Sequence, residues 1–219
     1  MPDEEMATSP AEFWERRHDL SPSTAIDGTE GYRVVLLIDI TDPEVVAAGE
    51  HVTETLDQFA CFDPVPHEAL HLTVKLFDIS VPAGTTQVGD LPPDRRRVDE
   101  IVSRVATTVD PFEAEITRFN LFPDVVYGEV DADDHLADLN QAVCDHPEIA
   151  PLDRDGAAFI PHLTLGYFTG QAQYQALLDF LETNRGLQWP TIRVDELSLV
   201  TYEVGGRPPT YNRLATYSL

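Results

Sequence analysis

A seven-residue pattern that recurs once constrains this chain more than any other feature. His71-Leu72-Thr73-Val74-Lys75-Leu76-Phe77 and His162-Leu163-Thr164-Leu165-Gly166-Tyr167-Phe168 agree at four of seven positions. Each segment alternates as a strand does, and each is expected to be the second strand of its own strand, helix, strand series. A polar pair repeated in one structural slot implies a duplicated unit folded with pseudo-twofold symmetry, its two motifs facing each other.

The flanking periodicity supports that plan. Residues 33–40 read as a mostly apolar strand, and Asp42-Pro43 opens a helix with Val45, Val46, Val52, Leu56 and Phe59 at helical spacing. Strands are expected at 70–77, 112–119, 125–130, 162–168, 192–200 and 209–218, and helices at 97–109, 135–144 and 171–184. Residues 1–31 stand apart as an N-terminal extension, partly helical or disordered, before a body of 32–219. In it, Ser9, Pro10 and Glu12 form a capping box for one short helix through Phe13, Trp14 and Arg17.

Side chains two apart on a strand share a face, so His71 lies beside Thr73 and His162 beside Thr164. Leu72, Val74 and Leu76, like Leu163, Leu165 and Tyr167, are expected on the opposite, core-directed face. Histidine gives or takes a proton near neutral pH, and threonine donates to an anionic oxygen. Two such pairs across a cleft can attack and release groups on a phosphate, one histidine as base and the other as acid. A solvated sheet face accounts for either motif alone, but not for two in equivalent positions. Two histidines without a third or nearby paired carboxylates are poor ligands for a catalytic zinc, so no metal and no cofactor is expected. The sequence lacks a Gly-x-Ser-x-Gly elbow and a glycine-rich phosphate loop preceding a lysine. His18, His51, His135 and His146 read as surface residues. Three further residues are candidates for substrate binding: Lys75, placed by alternation on the His71 face, Tyr127 as a base-stacking ring, and Arg118.

The paired His-Leu-Thr motifs, approached by Pro66-His67-Glu68-Ala69-Leu70 and by Phe159-Ile160-Pro161, resemble those of the two-histidine (2H) phosphoesterase superfamily, in its 2'-5' RNA ligase and RNA 2',3'-cyclic phosphodiesterase branch. The segments Phe119-Asn120-Leu121-Phe122-Pro123 and Leu197-Ser198-Leu199-Val200 with Tyr211 are similar to that family as well. The resemblance implies an α+β, bilobal fold of two antiparallel sheets flanking a central cleft, with helices outside. It also implies metal-independent opening of nucleoside or RNA 2',3'-cyclic phosphates to 2'-phosphates. Substrates would be RNA ends or small cyclic nucleotides, and 2'-5' RNA ligase activity is a companion expectation. The alternative is a nucleotide or RNA-end binding protein of the same fold without turnover.

Charge sets the setting for that chemistry. Against 39 acidic residues stand 14 basic ones, a formal net charge of -25, and Lys75 is the only lysine. Aspartates spread along the whole chain suit a protein of multimolar salt, and a halophilic archaeon is the expected source. At about 1 M salt the Debye length is about 3 Å, so the acidity does not bar a nucleic-acid substrate. The longest apolar run, 34–38, is too short to cross a bilayer, and acidic residues stand where a secretory signal needs positive charge. A cytoplasmic monomer is expected. Cys61 and Cys144 are too few and too far apart for a disulfide framework or a zinc site and read as buried thiols.

Overall fold

Local signals open the first two helices as the sequence requires. The Ser9 hydroxyl accepts from the Glu12 N–H at 3.3 Å, and the Asp42 carboxylate accepts from the N–H groups of Glu44 and Val45, with proline next in each case. The computed structural model describes residues 9–23, 31–93, 95–204 and 210–219. Its helices are α1 (Pro10–Glu15), α2 (Pro43–Leu56), α3 (Arg97–Ala106), α4 (His135–Cys144) and α5 (Tyr174–Thr183). Its strands are β1 (Gly31–Asp39), β2 (Phe62–Pro64), β3 (His71–Val81), β4 (Phe112–Leu121), β5 (Val125–Asp131), β6 (His162–Phe168), β7 (Ile192–Val194), β8 (Glu196–Val204) and β9 (Tyr211–Ser218). Of the N-terminal extension, residues 1–8 and 24–30 lie outside the described residues.

The strands follow the order β7-β4-β5-β6-β3-β1-β8-β9, with β2 also on β6, and the pairings are antiparallel. The two expected sheets are the two halves of this order, β6-β5-β4-β7 and β3-β1-β8-β9. They meet at one backbone pair, Leu72 with Leu163. The helices cross between the halves: α2, which follows β1, packs on β2 and β6, whereas α4, which follows β5, packs on β3. That exchange relates β1-α2-β3 to β5-α4-β6, as the repeat requires, in an α+β fold. The strand expected over 192–200 is divided at Asp195, because β7 pairs with β4 and β8 with β1, so the chain changes halves there.

Both repeat strands also carry a bulge that the alternation conceals. On β1, Leu36 stands opposite Lys75 and Leu37 opposite Thr73, so Val74 is an extra residue. On β5, Val126 stands opposite Gly166 and Tyr127 opposite Thr164, so Leu165 is extra at the same place. Each bulge buries two successive residues, Val74 and Lys75 in one copy and Leu165 and Gly166 in the other. The next residues, Leu76 and Tyr167, turn to the cleft side, opposite Val35 and Val125. The expectation that Leu76 and Tyr167 face the core, and that Lys75 shares the His71 face, is therefore corrected.

Candidate active site

The Leu72–Leu163 pair puts the two motifs at the centre of the sheet. Continuing its antiparallel register sets His71 across from Thr164 and Thr73 across from His162, so each imidazole faces the hydroxyl of the other copy. Leu72 and Leu163 are buried beneath, and the four polar side chains are half-buried on the other face. The tight turns His67–Ala69 and Gly156–Ala158 precede the motifs, and after each the chain runs extended into the strand.

The two rings are held alike. His71 Nδ1 lies 2.9 Å from the Ala69 carbonyl and His162 Nδ1 lies 2.7 Å from the Ile160 carbonyl, in each case two residues upstream. A carbonyl only accepts, so Nδ1 carries the proton and Nε2 keeps its lone pair. Among the described residues neither Nε2 has a hydrogen-bond partner. The electrostatics differ. Burial lowers the pKa of His71, which its bond to Ala69 and the nearby Asp39 carboxylate partly oppose. Burial pushes His162 down to about 4, opposed by its bond to Ile160, and the positive charges of Arg154 and of a protonated His71 press in the same direction as burial.

A second, hidden repeat surrounds the first. Asp39 stands opposite His71 on β1, and Glu129 stands opposite His162 on β5. Ser198, from the strand beyond β1, donates to Asp39 at 2.7 Å, and Asn120, from the strand beyond β5, donates to Glu129 at 2.7 Å. Asp39 further accepts from Tyr211 at 3.0 Å and from Arg213, while Glu129 accepts from Arg118 at 2.6 Å and Arg185 at 3.0 Å. Sequence alone does not single out these carboxylates. The available signal is an acid closing a mostly apolar run in each first strand, Val35-Leu36-Leu37-Ile38-Asp39 and Val125-Val126-Tyr127-Gly128-Glu129.

Of the three substrate-binding candidates, Lys75 and Tyr127 are buried, whereas Arg118 lies partly exposed on the face shared with His162. Lys75, only 1% exposed, points away from the cleft; its Nζ donates to Asp155 at 2.5 Å and to the Leu76 carbonyl at 2.7 Å. Tyr127 does lie on the cleft face but is 0% exposed, stacked on Phe122 at 4.3 Å and edge-on to His162 at 5.6 Å, leaving no ring face for a base. Arg118 is committed to Glu129 on the face shared with His162. The structure instead brings other groups to the motifs. Tyr202 and Tyr211 meet the His71 ring edge-on at 6.0 and 6.1 Å, and Arg213 is anchored on Asp39. Arg154 lies over Phe122 at 4.3 Å, and Phe122 touches His162 edge-on at 5.3 Å. Among the described residues, no three of His, Cys, Asp and Glu gather as a metal-ligand set. None of the described helices is long and apolar enough to cross a membrane.

A duplicated antiparallel sheet with one His-x-Thr motif in each half defines a two-histidine phosphoesterase architecture. The family model of the 2'-5' RNA ligase superfamily matches residues 42–206, and the chain belongs to that family. It is 25% identical over 196 residues to the RNA 2',3'-cyclic phosphodiesterase of Methanothermobacter thermautotrophicus, covering 85% of this chain and 98% of that one. Its fold is similar to TT0787 of Thermus thermophilus, with a TM-score of 0.62, 22% identity, and 85% of this chain and 97% of that one covered. It is also similar to E. coli LigT, with a TM-score of 0.59 and 16% identity in the apo form, over 87% of this chain and 99% of that one; LigT has also been crystallised with 3'-AMP.

Proposed function

We propose that this chain is a hydrolase that opens 2',3'-cyclic phosphates, on nucleosides or at RNA ends, to 2'-phosphates. The observation that carries the reading is the pair of imidazoles set diagonally across the Leu72–Leu163 pair, each with Nδ1 locked on a carbonyl and Nε2 left for the substrate. The family, and the cyclic phosphodiesterase activity for which the Methanothermobacter relative is named, support the same reaction class. His162, kept neutral by burial beside Arg154, takes a proton from water through Nε2 as the water oxygen attacks phosphorus. The bond from phosphorus to the 3' oxygen breaks, and His71 protonates that oxygen, its imidazolium favoured by Asp39. The Thr73 and Thr164 hydroxyls donate to the non-bridging oxygens as charge grows there, which is where fixed donors contribute most.

The test is turnover of a nucleoside 2',3'-cyclic phosphate by the parent protein and by His71→Asn and His162→Asn. Each variant should lose at least about a hundredfold in kcat and stay folded, because either loss leaves one proton transfer uncatalysed. Near-parental turnover in either variant refutes the paired mechanism. Binding of the nucleotide by a parent without turnover would make the protein a binding module.

A further inference from the structure

A duplicated site should offer two equivalent flanks, one beyond each histidine, yet here the flanks differ. Beyond His71 the cleft face carries Tyr202, Tyr211 and Arg213. Beyond His162 the matching face of β4 and β5 is covered by α1 at Asn120 and Tyr127, both 0% exposed, while Arg118 at its far end stays partly exposed. Asn120, on that face, donates to the Pro10 carbonyl at 2.7 Å. Phe13 is 8% exposed and packs with Phe122, Val125, Tyr127 and Ile160. Its ring meets Phe122 edge-on at 4.8 Å, which sets it one ring away from His162.

The docking is specific. Trp14 lies beneath Arg185 at 3.6 Å and Arg17 at 4.6 Å, and Arg17 is paired with Glu182 at 2.7 Å. After the helix, the Ser23 N–H donates to the Pro123 carbonyl at 2.7 Å, in the turn that joins β4 to β5. A six-residue helix does not hold its shape alone, so these contacts set its place. It precedes the region 42–206 matched by the family model.

The two reactions open to a cyclic phosphate use that flank differently. Hydrolysis needs a nucleoside on one side of phosphorus and only water on the other. Joining to a second RNA forms a bond from its 5' oxygen to phosphorus, breaks the bond to the 3' oxygen, and passes the proton of the 5'-hydroxyl through the histidines to that 3' oxygen. Nucleotides must then lie on both sides. We propose that α1, through Phe13, fills the flank that the second RNA would occupy, so that water but not a 5'-hydroxyl RNA reaches phosphorus beside His162. This inference rests on the cyclic-phosphate reading above, with the water on the His162 side.

The test uses full-length protein in multimolar KCl: the parent, Phe13→Asp, and the milder Phe13→Ala and Trp14→Ala. Hydrogen exchange at residues 9–23 reports release of α1, and melting temperature reports an intact body. A labelled oligoribonucleotide with a 5'-hydroxyl and no terminal phosphate is titrated by fluorescence anisotropy. Variants that release α1 should bind it about tenfold or more tightly than the parent, the scale of one base stacked on an aromatic ring. With a cyclic-phosphate RNA added, they should also yield a 2'-5'-joined product that the parent does not. Equal affinity for the 5'-hydroxyl RNA with α1 docked and released overturns the proposal, as does joining by the parent. The anisotropy arm needs no turnover, so a parent inert on every cyclic phosphate would count against the hydrolase reading and leave the α1 comparison decided by binding.

Discussion

Two acids, Asp39 and Asp155, separate what touches the site from what holds it up. The side chains of Lys75 and Asp155 are nearly inaccessible, and Asp155 also accepts from Asn140 at 3.0 Å and from the Leu152 N–H at 2.6 Å. The lone lysine thus ties β3, which carries His71, to the loop that carries Arg154 and leads to His162. Lys75→Met strands a buried carboxylate, and stability should fall by about 3–5 kcal/mol, measured by chemical denaturation. Adding Asp155→Asn should restore much of that loss. A lysine that bound phosphate would instead raise KM and leave stability unchanged, so a Lys75→Met protein as stable as the parent would return Lys75 to the substrate. Asp39 acts on charge directly. The productive form has neutral His162 and protonated His71, and the folded protein lowers both pKa values, His162 to about 4. As pH rises, kcat/KM should therefore climb as His162 loses its proton near pH 4, then fall as His71 loses its own below the usual histidine value of about 6.5. Asp39→Asn removes the charge that supports the His71 imidazolium and should move the falling limb further down. An unmoved limb in a folded variant would contradict this role for Asp39.

The bulge is the element that turns a repeated motif into a site. It lets His71 and Thr73, or His162 and Thr164, face the cleft while the next two residues both go into the core. In the second copy the inner residue is Gly166, where β2 crosses: an added Cβ would lie 2.2 Å from Phe62 Cζ and 2.5 Å from the Asp63 carbonyl oxygen. Gly166→Ala should cost about 1–3 kcal/mol as β2 is pushed off β6, while the four catalytic candidates on the other face keep their register. Thermal melting and turnover together check this, and unchanged stability would mean that β2 is not held there. The motifs, most element positions and the pairing of the two histidines were legible because side-chain periodicity and the repeat report local backbone state. The bulge was not, because Leu72-Thr73-Val74-Lys75-Leu76 alternates as an unbroken strand does, and only the partner strand shows that Val74 is supernumerary. A glycine inside the second copy was the available hint. The burial of Tyr127 is hidden for a related reason: its face is inferable from its strand, but α1, which helps bury it, arrives from a distant part of the chain, and Phe122 folds onto it from the adjoining turn.

At the scale of the whole molecule, five of the 14 basic residues are paired, among the described residues, with acids that fix the architecture. Arginines 118 and 185 serve Glu129, Arg213 serves Asp39, Arg17 serves Glu182 and Lys75 serves Asp155. The 39 acidic residues against 14 basic ones leave a net charge of -25, an excess of carboxylates that those pairs do not remove. In dilute buffer, near 0.01 M, the Debye length is about 30 Å, so carboxylates across the whole surface repel one another and any polyanion. At about 1 M it shrinks to about 3 Å and that repulsion is confined to neighbours. Melting temperature should therefore rise with KCl into the multimolar range. KM for a cyclic-phosphate-ended RNA should fall over the same range, opposite to the loss of affinity that counterion release imposes on basic nucleic-acid binders. A nucleoside cyclic phosphate carries one charge, so its KM should change far less once the protein is folded. Melting curves and KM for both substrates, measured from low to multimolar KCl, separate these effects. Greatest stability in dilute buffer would refute adaptation to salt. A KM for RNA that rises steeply with KCl in folded protein would locate a basic track on the Arg154 and Arg213 rims of the cleft, strong enough to outweigh the acidic surface.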